Sequence, residues 1–352
     1  MALHVVVMAG GKGERLWPAS RTHRPKQLIS FDGDRSLIRA TVDRLLPLAA
    51  PERVCIVTGS DIAPQMAAEL PDIPASNILA EPFGRNTAPC IAYAAAWIAA
   101  RDPQGVMAVF PSDHAIADTV AFQKTVTFGT QCLQDFPAHL ITIGIEPTHP
   151  ETGYGYIAPS EVMHSGGTLV LRRVEAFYEK PDRARAQNYI DGGCLWNAGM
   201  FMWRVDTILR DIKRHMPDLH DNLMRLSASS WQDSDILSFY ENARAVSIDY
   251  AVMEKAAKVA VIPADFGWND VGSWDAVGKL KRTDQHGNSV QGKAYFHESR
   301  DNVVWAGAKP IVCIGIENMV VVEGEEAILV CPREMSQDVG MVLKKLKTEK
   351  IG

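Results

Sequence analysis

Residue types that hold phosphate are concentrated in Ala9-Gly10-Gly11-Lys12-Gly13-Glu14-Arg15-Leu16-Trp17-Pro18, running on to Pro25-Lys26-Gln27. Three glycines fall within four positions, straight after the apolar run Val5-Val6-Val7-Met8. A glycine-rich turn after a strand lets backbone N–H groups come close to an anion. From Lys12 to Lys26 five cations (Lys12, Arg15, Arg21, Arg24, Lys26) stand against one acid, Glu14, in a chain whose net charge is −6. Arginine suits bidentate contact with phosphate oxygens and lysine supplies a point charge, so Arg15 and Lys26 are candidate polyphosphate ligands. The loop matches neither common phosphate loop. Leu16 stands where the third glycine of G-x-G-x-x-G belongs, and G-x-x-x-x-G-K-[ST] does not occur.

A triphosphate substrate needs Mg²⁺, a hard cation that takes one or two carboxylates together with phosphate oxygens. Asp113 and Asp270 are the candidate metal ligands. For each the alternative is capping of the helix that follows. Ser112-Asp113-His114 is not a hydrolase triad, because neighbours on an extended chain point in different directions. Lys180, between Glu179 and Pro181, offers a second phosphate contact or, alternatively, an exposed ion pair with Glu179 or Asp182. Asn197 and Glu179 carry groups suited to sugar hydroxyls, although Asn in W-N-x-G is equally a turn residue.

These residues need elements to position them, and the pattern up to residue 143 supplies a regular alternation. Strand-like runs are Val5–Met8, Val54–Val57, Asn77–Leu79, Val106–Phe110 and Leu140–Ile143, with helical spacing at Ser36–Leu46, Ile62–Leu70, Thr87–Ala100 and up to Asp135 between them. Such alternation predicts βαβ units and a mixed, mostly parallel, Rossmann-like sheet. The loops at Gly10–Lys26, Glu81–Thr87 and Pro111–His114 then leave one sheet edge, where ligands of open α/β sheets lie. Residues 154–203 read as shorter strands interrupted at Glu179–Asp182 and Leu195–Gly199, an insertion covering that crevice. Helical patterns resume from Asp206 to Lys258. Beyond Thr283, short β-branched runs predict a small all-β domain closed by a basic helix from Ser336 to Lys347, dividing the chain into domains 1–282 and 283–352.

Composition narrows the class. With 47% hydrophobic and 22% charged residues the chain reads as a globular protein. Its acidic balance argues against a nucleic-acid partner. No C-x-x-C occurs among six scattered cysteines, which predicts neither a zinc site nor disulfides and fits a reducing cytoplasm. The longest apolar run, Cys90–Ala100, is far short of the roughly 20 residues that span a bilayer, so no membrane partner is expected. Edge strands of a small β domain need covering, which allows a homodimer.

Taken together, several stretches resemble a known family. Ala-Gly-Gly-x-Gly-x-Arg-Leu-Trp-Pro with Pro25-Lys26-Gln27 is similar to the signature of sugar-nucleotide pyrophosphorylases. Gly84–Pro89, Pro111–His114, Pro150–Ile157, Phe177–Pro181, Trp196–Phe201, Ser247–Lys255 and Trp268–Trp274 resemble the bacterial mannose-1-phosphate guanylyltransferase branch, in order over residues 3–280. The resemblance implies an enzyme that converts GTP and mannose 1-phosphate to GDP-mannose and pyrophosphate with Mg²⁺. It places Ala9, Gly10, Gly11 and Gly13 at the nucleotide, with Arg15 and Lys26 on its triphosphate. Arg85, Asn86 and Ser112 lie near the nucleoside, Asp113 and Asp270 on Mg²⁺, Gly155, Glu179 and Asn197 on the mannose, and Lys180 on its phosphate. The tail resembles a short left-handed β-helix. Two positions depart from the pattern: Ala198 stands where Ser is common, and Lys12 where small or polar residues are frequent.

Overall fold

Apart from Lys12, Asp32, residues 350–352 and the side chain of Lys347, the computed structural model describes the whole chain. The departure at Lys12 lies outside the described residues. Two compact units form: Met1–Gly10, Val42–Pro111 and Ile116–Trp268 make one, and Gly11–Thr41, Ser112–Ala115 and Asn269–Gly352 the other.

The first unit is built on a nine-stranded sheet. Its strands are β1 (Leu3–Ala9), β2 (Val54–Gly59), β3 (Ile78–Glu81) and β4 (Val106–Pro111), then, after a short β5 (Ala115–Ile116), β6 (Leu140–Ile145), β7 (Gly155–Gly166), β8 (Leu169–Glu179), β9 (Leu195–Arg204) and β10 (Val259–Ala264). They lie in the order β3-β2-β1-β4-β9-β6-β10-β8-β7. β1 to β4 pair in parallel, as do β6 and β10. Val5–Val7, Val54–Val57 and Val106–Phe110 are buried without alternation, as strands covered on both faces must be. Ala9 faces Thr58, Met8 faces Pro111 and Gly59 faces Glu81, so the carboxyl ends of these strands share one edge, as the alternation predicts. Beside them the helix Thr87–Ala99 is apolar all round and buried from Ala88 to Ile98, which makes it a core helix rather than a surface one.

The expectation of a separate insertion of short strands over residues 154–203 is corrected. β7, β8 and β9 are long members of the main sheet, running antiparallel to their neighbours. Leu195–Gly199 is strand, not an interruption. Its turn-like composition marks a bulge instead: Thr142 pairs with Phe201 but Gly144 with Asn197, so β9 carries extra residues there.

In the second unit a core of Leu16, Ile29, Phe31, Trp274, Val277, Val303, Val320 and Val322 joins the glycine-rich loop to the C-terminal strands. Phe31, Trp274 and Trp305 form a ring cluster at 5.4–6.3 Å, and Trp274 Nε1 donates to the Trp17 carbonyl at 3.0 Å. After a short β11 (Trp268–Asn269) come β12 (Ser289–Gln291), β13 (Ala294–His297), β14 (Val303–Trp305), β15 (Ile311–Ile314), β16 (Met319–Glu323) and β17 (Ile328–Pro332). β12, β14 and β16 stack in parallel, and so do β13 and β15, which is the rung pattern of a β-helix. A buried amide ladder ties successive coils: Asn302 donates to Asn288 Oδ1 at 2.9 Å, and Met319 N–H donates to Asn302 Oδ1 at 2.9 Å. The closing helix runs Val339–Thr348, preceded by a 3₁₀ stretch, Arg333–Asp338, in place of the first turn expected from Ser336.

Candidate active site

The phosphate candidates gather in the second unit. Gly13 sits at φ +62°, and a side chain there would run into Lys26 Cβ, so the loop needs glycine at this position. Lys26 follows Pro25 into a 3₁₀ turn and is only 6% exposed. Its Nζ donates to Asp113 Oδ2 at 2.7 Å and to the Asp270 carbonyl at 2.6 Å. An ammonium has three donors, so one remains for a ligand. Burial opposes ionisation of Asp113, but Lys26 and His114 outweigh it and hold the carboxyl below its usual range. The Asp113 side chain keeps 31% exposure, enough to meet a ligand.

Asp270 is placed by a strained turn. Val271 has φ +50° although β-branched and fully buried, a conformation that persists only where surrounding contacts impose it. Its N–H donates to Asn269 Oδ1 at 2.7 Å, and Gly272 N–H to Asp270 Oδ1 at 2.9 Å. Neither aspartate caps a helix. Asp118 caps Thr119–Asp135 and Ser273 caps Trp274–Leu280, so the capping alternative falls for both. As donors, the Asp113 and Asp270 carboxylates are hard oxygen ligands of the kind Mg²⁺ takes; Asp113 itself, and Val271 and Gly272 beside Asp270, line one cavity.

A cavity of about 540 Å³ opens here, lined by Gly11, Gly13, Arg15, Lys26, Asp113 and Gly272, and also by Gln337, Gly340 and Lys344 of the C-terminal segment. Arg15 Nη1 donates to Gln337 Oε1 at 2.9 Å, and Gly340 leaves room for Arg15 Cγ, 3.2 Å from where a Cβ would sit. No local pattern announces Gln337 or Lys344. Their relevance comes only from tertiary placement.

In the first unit the sugar candidates form a second set. Gly155 at the start of β7 pairs with Glu179 at the end of β8, and a Cβ on Gly155 would lie 2.6 Å from Glu179 Oε2 and 3.5 Å from Asn197 Cβ. Lys180 adopts φ +46°, and its half-open ammonium pairs with Glu179 Oε1 at 2.5 Å, the ion pair foreseen as its alternative. Burial works against that charge, yet Glu179 wins and raises the Lys180 pKa. Asp182 instead caps the helix Arg183–Asp191. Asn197 donates from Nδ2 to Asp249 Oδ1 at 2.7 Å, while its Oδ1 accepts from Gly199 N–H at 3.1 Å. Ala198 is buried in β9. Sequence reasoning missed Asp249; the signal that could have found it is a carboxylate two positions before the apolar run Ala251–Met253, which here forms the buried part of a π-turn, Asp249–Met253. Burial and then Glu179 push its carboxyl up to about 6.

The nucleoside candidates divide between the units. Ala9 ends β1 in the first and Gly10 follows it, where a Cβ on Gly10 would lie 3.0 Å from Glu81 Oε2. Glu81 is 4% exposed, and burial pushes it up to about 7 against the opposing Tyr240 side chain. Arg85 Nε donates to the Tyr240 carbonyl at 3.1 Å and its guanidinium covers Phe83 at 4.8 Å. Asn86, at φ +67°, caps the helix from Thr87. Ser112 belongs to the second unit, its carbonyl accepting from Thr41 Oγ1 at 3.2 Å.

Comparison with known proteins adds the following. Residues 4–287 match the nucleotidyl transferase family, and residues 296–346 match the mannose-phosphate isomerase/GMP-like β-helix domain. The chain is 37% identical to the alginate biosynthesis protein AlgA of Pseudomonas aeruginosa, over 98% of this chain and 72% of that protein. It is 35% identical to mannose-1-phosphate guanylyltransferase of Escherichia coli K12, over 99% of this chain and 74% of the relative. A crystal structure described as mannose-1-phosphate geranyltransferase from Thermus thermophilus superposes with a TM-score of 0.89 at 34% identity, covering 99% of this chain and all of that one.

Proposed function

Since the chain belongs to the nucleotidyl transferase family, we propose that it transfers GMP from GTP to α-D-mannose 1-phosphate, giving GDP-mannose and pyrophosphate. The observation that carries this reading is the buried Lys26 ammonium held between Asp113 and the Asp270 carbonyl on the wall of the glycine-lined cavity. The name of the Escherichia coli relative supports the choice of substrates.

In this reading Gly11 and Gly13 let the loop backbone approach the triphosphate, and Arg15 and Lys26 neutralise the leaving pyrophosphate. Asp113 and Asp270 hold Mg²⁺, which when bound lowers the negative charge that repels an incoming anion. Lys180 takes the sugar phosphate, with Gly155, Glu179 and Asn197 on the sugar, and Arg85, Asn86 and Ser112 serve the nucleoside. An oxygen of the sugar phosphate forms the new bond to the α-phosphorus of GTP as the bond to pyrophosphate breaks. That nucleophile is already an anion, so no general base is needed. Positioning and charge neutralisation supply the rate. A silent nucleotide-sugar sensor is disfavoured, because Arg15, Lys26, Asp113, Lys180 and Asp270 are all present. The test is pyrophosphate release across four nucleoside triphosphates and several hexose 1-phosphates. Highest kcat/KM for GTP with mannose 1-phosphate is expected, and a clear preference for another pair would overturn the substrate assignment.

A further inference from the structure

The bulge in β9 delivers Asn197 with almost all of its hydrogen-bonding capacity already committed. Its Oδ1 accepts from Gly199 N–H at 3.1 Å and lies 3.1 Å from the Thr142 hydroxyl, which is equally close to the Met200 carbonyl. One of its two amide protons goes to Asp249 Oδ1 at 2.7 Å. A carboxamide has two donor protons and two acceptor lone pairs, so one N–H remains for a ligand, while the second lone pair of Oδ1 faces the Thr142 hydroxyl. The orientation of the amide is usually an assignment from its neighbours. Here two neighbours decide it: Gly199 N–H requires the amide oxygen, and an acceptor oxygen at Asp249 requires the amide N–H. Glu179, on the other side of the gap that Gly155 leaves open, can only accept while ionised.

We propose that Asp249 is a positioning residue that locks the Asn197 amide as a one-proton donor, so that the sugar is held through a hydroxyl that accepts from Asn197 and donates to Glu179. This rests on the reading of Gly155, Glu179 and Asn197 as the sugar set. Asp249 acts through Asn197 and does not itself touch the substrate. Its place at the first residue of a π-turn, a helix type that concentrates at functional sites, agrees with a geometric duty.

The test is a double-mutant cycle on the full chain with Asp249→Ala, Asn197→Ala and the pair, measuring KM for mannose 1-phosphate, KM for GTP and kcat. Asp249→Ala is expected to raise KM for the sugar phosphate about tenfold, the scale of one lost oriented hydrogen bond, with KM for GTP nearly unchanged. The double variant should be no worse than Asn197→Ala alone. Asp249→Asn keeps the volume and an acceptor oxygen for the same bond, and should recover most of the loss. Penalties that multiply, a silent Asp249→Ala, or equal rises in both KM values overturn the proposal. A wild-type chain that uses no sugar 1-phosphate overturns the functional reading, and this inference with it. A working wild type with multiplying penalties overturns this inference alone.

Discussion

Lys26 shows what a buried ammonium demands: it is stable inside only because a carboxylate and a carbonyl receive its protons. Its partner Asp113 therefore has a double duty, and Asp113→Asn should lower kcat at least ~100-fold with the circular dichroism spectrum unchanged. Turnover within a few-fold of wild type would contradict that role. Because the folded pKa of Asp113 is depressed, its stabilisation is present above the ordinary carboxylate range and fades as pH falls through the folded value. The stability gap between Asp113→Asn and wild type should accordingly close in acid. Glu81 behaves in the opposite sense. Its carboxyl is raised from 4.5 to about 7 by burial, so the folded state keeps a proton that the unfolded chain loses, and stability falls as pH rises between those values. Glu81→Gln should thus gain roughly 2–3 kcal/mol relative to wild type between pH 5 and pH 8 in denaturant titrations. A difference that does not change with pH would show the carboxyl to be unshifted.

At the scale of elements, the closing helix Val339–Thr348 and the 3₁₀ stretch before it bring Gln337, Gly340 and Lys344 to the cavity that holds Arg15. Lys344→Ala should raise KM for GTP several-fold by removing one cation from the cavity wall, with KM for the sugar phosphate unchanged. Equal KM for GTP in wild type and variant would remove the helix from the nucleotide site. This contribution was not legible beforehand, because a basic amphipathic helix carries no mark of what it packs against. The parallel strands and the helices between them were legible, since an unbroken β-branched run and a 3.6-residue period are local signals. Leu195–Gly199 misled for a physical reason: a tryptophan, an asparagine and a glycine at φ +65° compose a turn, and here that turn is a bulge inside a strand. The length of β7 was hidden because its second half, from Glu161 on, is largely exposed and polar, which breaks the alternation that announces a strand.

Across the whole molecule, the triphosphate candidates belong to the unit that contains the β-helix, and the sugar candidates to the unit that contains the nine-stranded sheet. Asn86, Lys180 and Val271, on the candidate loops, adopt positive φ without being glycine, as do Trp231, Glu298, Asp301 and Asn318 elsewhere. Paired kinetics of Lys26→Ala and Lys180→Ala test this division of substrates. Lys26→Ala should raise KM for GTP and lower kcat, leaving KM for mannose 1-phosphate nearly unchanged. Lys180→Ala should raise KM for mannose 1-phosphate and leave KM for GTP nearly unchanged. Reversed effects, or equal effects on both substrates in either variant, would contradict it.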